Sequence, residues 1–212
     1  MMSKGLFISF EGADGSGKST QYRIFAEYLK SLGFNVLMTR EPGGTPISES
    51  IRSIILDPAN TEMSDMTEAL LFAASRAQLV SQVIRPAVEQ GKIVLCDRFM
   101  DSSIAYQGYA RGLGDCVRII NEYAVQGMQP DITFFLDLKP EDGRKRNTAA
   151  GKADRMEQQA IEFHEKVYEA YKSLAQIYKD RFVVIDASGS IEEVQERIRR
   201  SFIEHQALRS EE

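Results

Sequence analysis

A chain of 212 residues, 43% apolar and 27% charged, fits one α/β domain and is short for two. Its net charge of −5 argues against a general nucleic-acid binder, so any positive surface has to be local. No apolar stretch reaches transmembrane length, and the N-terminus runs into a strand rather than a signal-peptide core, which predicts a cytoplasmic protein with no membrane contact. Two cysteines, Cys96 and Cys116, and two histidines, His164 and His205, support neither a disulfide framework nor a Cys/His metal site.

The first predicted element is an apolar strand over residues 6–10. Directly behind it stands Gly12-Ala13-Asp14-Gly15-Ser16-Gly17-Lys18-Ser19, the pattern G-x-x-x-x-G-K-[ST]. Such a run turns successive backbone N–H groups toward one anion, and its glycines supply positive φ values and close approach. The apolar spacing of Ile24, Phe25, Tyr28, Leu29 and Leu32 makes the next segment a helix, the strand-loop-helix context this motif requires. Lys18 is placed to reach nucleotide phosphates and Ser19 to sit on Mg²⁺.

Further apolar runs at 35–39, 93–97, 132–138 and 182–186, separated by helical periodicity, predict a parallel sheet with helices on both faces. Several runs end in a charged residue (Glu11, Arg40, Asp97, Asp186), at the strand ends where ligands bind in open α/β sheets. The longest predicted helix covers 67–90, with Leu70, Ala73, Ala77, Val80, Ile84 and Ala87 as its core stripe, Phe72 and Arg76 one turn apart on its flank, and a kink or early end at Pro86. Helices are also predicted near Cys116, over about 157–178 with Ile161, Val167, Tyr171, Leu174 and Ile177 as its apolar positions, and over 191–203, and the tail 209–212 reads as disordered.

Asp97-Arg98 closes a strand, where a carboxylate can hold Mg²⁺ beside Ser19; a salt-bridged strand end is the plainer alternative. Ser103, Tyr106 and Gln107 fall on one helical face that could grip a base and sugar, or simply face solvent. The segment 40–46, with Glu41-Pro42-Gly43-Gly44, either walls a substrate or turns a corner. Between 143 and 155 stand Arg144, Lys145, Arg146, Lys152 and Arg155 against Asp154 alone, with little apolar anchoring, as in a lid that closes over phosphoryl transfer.

Four stretches in this order, 10–20, 40–46, 71–76 and 97–108, resemble the thymidylate kinases, and the likeness runs over nearly the whole length. The resemblance implies a single three-layer P-loop kinase domain over 1–212 with a five-stranded parallel sheet, a lid at about 142–156, and a homodimer. It implies ATP and Mg²⁺ as cofactors, transfer to dTMP giving dTDP, and an ATP site from Gly12 to Thr20 with Ser19 and Asp97 at the metal. For the acceptor it implies Phe72 stacked on thymine, Arg76, Ser103 and Gln107 at the base, and Tyr106 beside the deoxyribose. Asp14 is implied at the sugar 3′-hydroxyl, Glu41 and Pro42 in the wall, and Arg98 and Arg52 on the acceptor phosphate. Gly15 stands where eukaryotic relatives carry an arginine, which moves the catalytic cation to the lid, with Arg146 and Arg155 favoured over Lys152. A kinase for another nucleotide or deoxynucleoside is the alternative within enzymes. A regulatory P-loop GTPase is disfavoured by the lack of an N-K-x-D motif.

Overall fold

The computed structural model describes residues 5–146 and 154–209. Five parallel strands, β1 (Leu6–Glu11), β2 (Val36–Arg40), β3 (Ile93–Asp97), β4 (Ile132–Asp137) and β5 (Phe182–Asp186), lie in the order β2-β3-β1-β4-β5. The chain builds out to one side of β1 and then returns to its other side. The crevice beyond the carboxyl end of β1 is therefore the topological switch point at which such sheets bind ligands.

Pleating sends alternate residues of β1 to opposite faces. Leu6, Ile8 and Phe10 pack beneath α1 (Lys18–Ser31) and α9 (Ile191–Arg209), where Phe25, Leu29, Ile198 and Phe202 complete the core. Phe7 enters the second core, formed with α3 (Asp65–Leu79), α4 (Arg85–Glu89) and α8 (Ile161–Ile177). Ser9 and Glu11 follow Phe7 on that face and carry polar groups into it. Ser9 shares a hydrogen bond with Thr133 (2.9 Å), and Arg181 makes a two-pronged ion pair with the fully buried Asp101 (2.7 Å each).

Helix starts follow from local chemistry. Thr45 caps α2 (Pro46–Leu56) by accepting from the Ser48 N–H, and proline at the first position fixes φ without losing a needed donor. Ser64 caps α3 in the same way, with Asp65 and Glu68 in its first turn where the helix dipole favours anions.

The structure departs from the periodic reading in several places. The helix predicted over 67–90 begins at Asp65 and does not break at Pro86; it widens into a π-helical turn, Val80–Ile84, just ahead of it. A regular turn would drive the proline ring against the carbonyl four residues back, and a wider turn removes that clash. Leu70 is not core but 51% exposed, because α2 and α6 (Cys116–Val125) flank α3 and leave one apolar edge open. The helix predicted from 157 starts at Ile161, and α9 runs to Arg209, so only 210–212 of the expected tail lies outside the described residues. After the short α5 (Met100–Ser103) the chain continues as π-helix, Ile104–Ala110, rather than as a regular helix.

Candidate active site

A cavity of about 850 Å³ opens at the switch point. Its floor is the P-loop, whose Gly12, Gly15 and Gly17 have φ of 143°, 77° and 91°. Only glycine adopts these values freely, and they turn the loop around an anion. Lys18 curls back to donate to the carbonyls of Gly12 (2.9 Å) and Ala13 (2.8 Å), which holds its ammonium at the loop's centre. Burial, reinforced by Arg98, lowers its pKa to about 8.

The other P-loop constraint is steric. A Cβ at Gly15 would stand 2.1 Å from the Gly143 carbonyl oxygen, and one at Gly143 would stand 2.5 Å from the Asp14 carbonyl oxygen. The loop and α7 (Pro140–Arg146) thus touch backbone to backbone through two glycines. Gly15 lacks a side chain because α7 fills the space one would need.

At the end of β3, Asp97 accepts from the Ser19 hydroxyl (2.9 Å). Arg98 then takes a left-handed φ of 69°, a conformation costing a non-glycine residue about 1–2 kcal/mol. The bend is held by the Arg98 N–H donating to the Phe10 carbonyl (3.0 Å) and the Phe99 N–H donating to Glu11 (2.7 Å). It turns the Arg98 guanidinium inward to donate to Asp14 (2.5 Å), the Gly12 carbonyl (3.1 Å), Ser102 (3.2 Å) and Tyr171 (3.3 Å), with its carbon 5.2 Å from the Tyr106 ring centre. Burial opposes the Arg98 charge, but Tyr106, Asp14 and Tyr171 outweigh it and raise its pKa. Burial likewise opposes the Asp14 charge, and Arg98 and Lys18 outweigh it and keep that carboxyl below its usual range.

Glu11 lies beneath Arg98, fully buried, and accepts from Ser102 (2.6 Å) and Tyr171 (2.9 Å) as well as Phe99. Burial, reinforced by the nearby Asp101 charge, raises its pKa to about 7. The apolar run over 6–10 predicted Glu11 at the end of its strand; only the folded chain shows it facing inward.

The far wall is built from Phe72, Tyr106, Gln107 and Ser103, with Glu41, Pro42 and Arg52 along one side. Arg52 donates to the Pro42 carbonyl (2.8 Å), after the cis Glu41–Pro42 peptide bond. Burial raises the Glu41 pKa to about 7, against the opposing pull of Arg76. Arg76 itself is 1% exposed and stands behind this wall. Its donors go to Glu41 (2.7 Å), Ser103 (3.0 Å), the Phe99 carbonyl (3.1 Å) and Asn121, so it shapes the cavity through the groups it holds.

The predicted residues that line the cavity are Asp14 to Thr20, Glu41, Pro42, Arg52, Phe72, Asp97, Arg98, Ser103, Tyr106, Gln107 and Arg146. Gly12 and Ala13 contribute through the carbonyls that hold Lys18. Arg155 departs from its expected place as a lid cation over the phosphates. It is buried and donates to Glu68 (2.5 Å) and the Ile55 carbonyl (2.7 Å), because a buried carboxylate is a stronger partner than an open cleft. Arg146 lines the cavity and donates to the carbonyls of Ala187 (3.0 Å) and Ser188 (3.3 Å). Lys152 lies outside the described residues.

Sequence reasoning missed Tyr171 and the loop after β5, where Ala187, Gly189, Ser190 and Ile191 line the cavity. Tyr171 read as one more apolar helix position. The β5 loop was within reach of the strand-end rule, since Asp186 already marked that end.

Among the described residues no cluster of three or more His, Cys, Asp or Glu side chains could cage a metal. One carboxylate and one hydroxyl beside a phosphate cradle would suit a Mg²⁺ that completes its shell with phosphates and water.

Fold and site together define a P-loop enzyme of nucleotide phosphoryl transfer. A model of the thymidylate kinase family matches residues 10–198. A thymidylate kinase from Symbiobacterium thermophilum is 55% identical over 92% of this chain and 91% of its own, and one from Exiguobacterium is 50% identical over 92% of each. The solved thymidylate kinase of Ehrlichia chaffeensis superposes with a TM-score of 0.78 at 33% identity, over 93% of this chain and 98% of that one. The chain belongs to the thymidylate kinase family.

Two predictions follow the geometry. Gly15→Ala combines a left-handed φ with the clash on Gly143, so it should lower the urea midpoint and raise the KM for ATP; a normal KM would show that the loop-to-α7 contact is dispensable. Because Glu11 titrates near 7 when folded and near 4.5 when unfolded, the native state holds the extra proton in between, and stability falls as pH rises from about 5 to 7. Glu41 adds a slope of the same sign and remains in Glu11→Gln, so that variant should show a shallower, not a flat, fall in urea midpoint between pH 5 and 7.5.

Proposed function

We infer that this chain transfers the γ-phosphoryl group of ATP to dTMP, giving dTDP and ADP, and does so in the cytoplasm. The observation that carries this reading is one continuous cavity. It has a phosphate cradle and the β5 loop at one end, an aromatic and amide wall at the other, and Arg98 between them. ATP would lie along Gly12 to Thr20, with its base toward Ala187–Ser190 and Arg146. The acceptor base would stack on Phe72, a contact worth on the order of 1–3 kcal/mol. Ser103 and Gln107 would meet its edge, with Arg76 fixing that wall from behind. Tyr106 would pack on the deoxyribose and leave no room for a 2′-hydroxyl, and Asp14 would take the 3′-hydroxyl.

The nucleophile is a phosphate oxygen whose second pKa is about 6, so it is largely a dianion at neutral pH and needs no general base. Two repelling anions must instead be held in line, and their charge met where it develops. Lys18 serves the donor phosphates, Arg98 and Arg52 the acceptor phosphate, and Arg146 leads the described candidates for the lid cation. Ser19 and Asp97 would hold Mg²⁺, which would supply charge neutralisation for the phosphates. Arg155 would anchor the end of the lid rather than stabilise the transferred group.

Met66 and Leu70 on α3, and Ile119 and the 81% exposed Tyr123 on α6, lie one turn apart on two packed helices. This open apolar edge supports assembly as a homodimer through α3 and α6.

ADP formation from ATP across a panel of monophosphates tests the activity. dTMP should exceed AMP, CMP and GMP, and dTMP no better than these would remove the assignment. Sedimentation velocity tests the assembly: the native chain should run as a dimer and Leu70→Glu as a monomer, whereas a monomeric native chain would exclude it.

A further inference from the structure

Glu68, in the first turn of α3, is 1% exposed and unusually well supplied with donors. Gln107 gives its side-chain N–H to one carboxylate oxygen (2.9 Å). Arg111 reaches both oxygens (3.3 and 3.1 Å), and Arg155 takes the second (2.5 Å). Burial opposes the charge, but the bonds from Arg111, Gln107 and Arg155 outweigh it and keep the carboxyl below its usual range. An ionised carboxylate has lone pairs and no proton, so it accepts and never donates. The Gln107 amide therefore cannot flip: its NH₂ faces Glu68, and its carbonyl oxygen is left for the cavity that Gln107 lines. That oxygen has no hydrogen-bond partner among the described residues.

We propose that Glu68 is a positioning residue for base choice, locking Gln107 with its carbonyl toward the acceptor base so that the site demands an N–H there. The proposal rests on the dTMP reading above. Thymine and uracil carry an N–H at ring position 3. Cytosine carries a lone pair there and would face the Gln107 oxygen acceptor to acceptor, an arrangement that excludes by repulsion rather than by size. Glu68 touches no substrate and acts only through the amide it orients. Arg111 and Arg155 keep it ionised, and Arg155, whose backbone N–H also donates to the Leu56 carbonyl (3.2 Å), bonds the chain beside Asp154 and Met156 to the same carboxylate.

Glu68→Gln removes the constraint, because a neutral amide at 68 can pair with either orientation of Gln107. The measurement is the ratio of kcat/KM for dTMP to that for dCMP, together with the KM for ATP. In E68Q the ratio should fall at least about tenfold, the scale of one hydrogen bond to a charged group, while the KM for ATP stays within about threefold. In a Gln107→Ala background the same change should leave the ratio where Q107A alone puts it. A native ratio in E68Q, or an equal fall with and without Gln107, overturns the proposal.

Should E68Q fail to fold, the side-chain amide of Gln107 in the native protein decides, assigned in nitrogen-15 spectra by its loss in Gln107→Leu. One of its protons should be shifted downfield by the carboxylate, both free and with dTMP bound; an amide pair at the position of solvent-exposed glutamines overturns the proposal. A native enzyme that does not phosphorylate dTMP at all would instead refute the dTMP reading.

Discussion

The inward-facing carboxylate of Glu11 is the constraint on which the site depends. It sits at the last residue of the central strand, where the pleat sends it into the same face as Phe7, and it accepts the N–H of Phe99 just past the bend at Arg98. Arg98 occupies a backbone region that a side chain pays to enter, and it does so because that N–H and the Phe10 carbonyl hold the bend on either side. The bend aims a guanidinium at Asp14 and the P-loop carbonyl of Gly12. A buried acid thus fixes the direction of a cation that never touches it through a hydrogen bond among those described.

The same economy recurs around the cavity, where charges face inward and are anchored by neutral or opposite groups behind them. Lys18 is held by two carbonyls, Arg76 by Glu41, Ser103 and Asn121, and Asp101 by Arg181 beside Thr133. Each of these buried ions would be costly alone, and each is satisfied by several hydrogen bonds that also specify where the neighbouring backbone lies. Preorganisation of this kind is what a reaction without a general base requires, since its barrier lies in bringing two anions together.

Backbone contact governs the other half of the site. Gly15 and Gly143 bring the phosphate loop and α7 closer than any side chain allows, so the segment leading to the basic residues starts from the loop it serves. Two π-helical stretches, Val80–Ile84 and Ile104–Ala110, adjust the two helices that bear Phe72, Arg76, Tyr106 and Gln107. Both widen a turn, and the second carries Tyr106 and Gln107 into the cavity wall directly.

Short-range chemistry was legible in the sequence by itself. Glycine spacing set the phosphate loop, apolar runs set the five strands to within a residue or so, and the carboxyl-end rule pointed to Glu11, Asp97 and Asp186. Those features are local: they need only the backbone freedom of glycine, the period of a strand and the charge at its end. The pairing of distant side chains was decided by tertiary structure alone. Arg155 read as a mobile lid cation because its sequence neighbours are basic and weakly apolar, yet it pairs with Glu68, 87 residues away along the chain. Leu70 read as core because its spacing is helical, yet α3 is covered on its flanks and open between them. Periodicity reports that a helix has an apolar face, but which neighbour covers that face, and which buried acid claims a given arginine, follows only from how the layers pack.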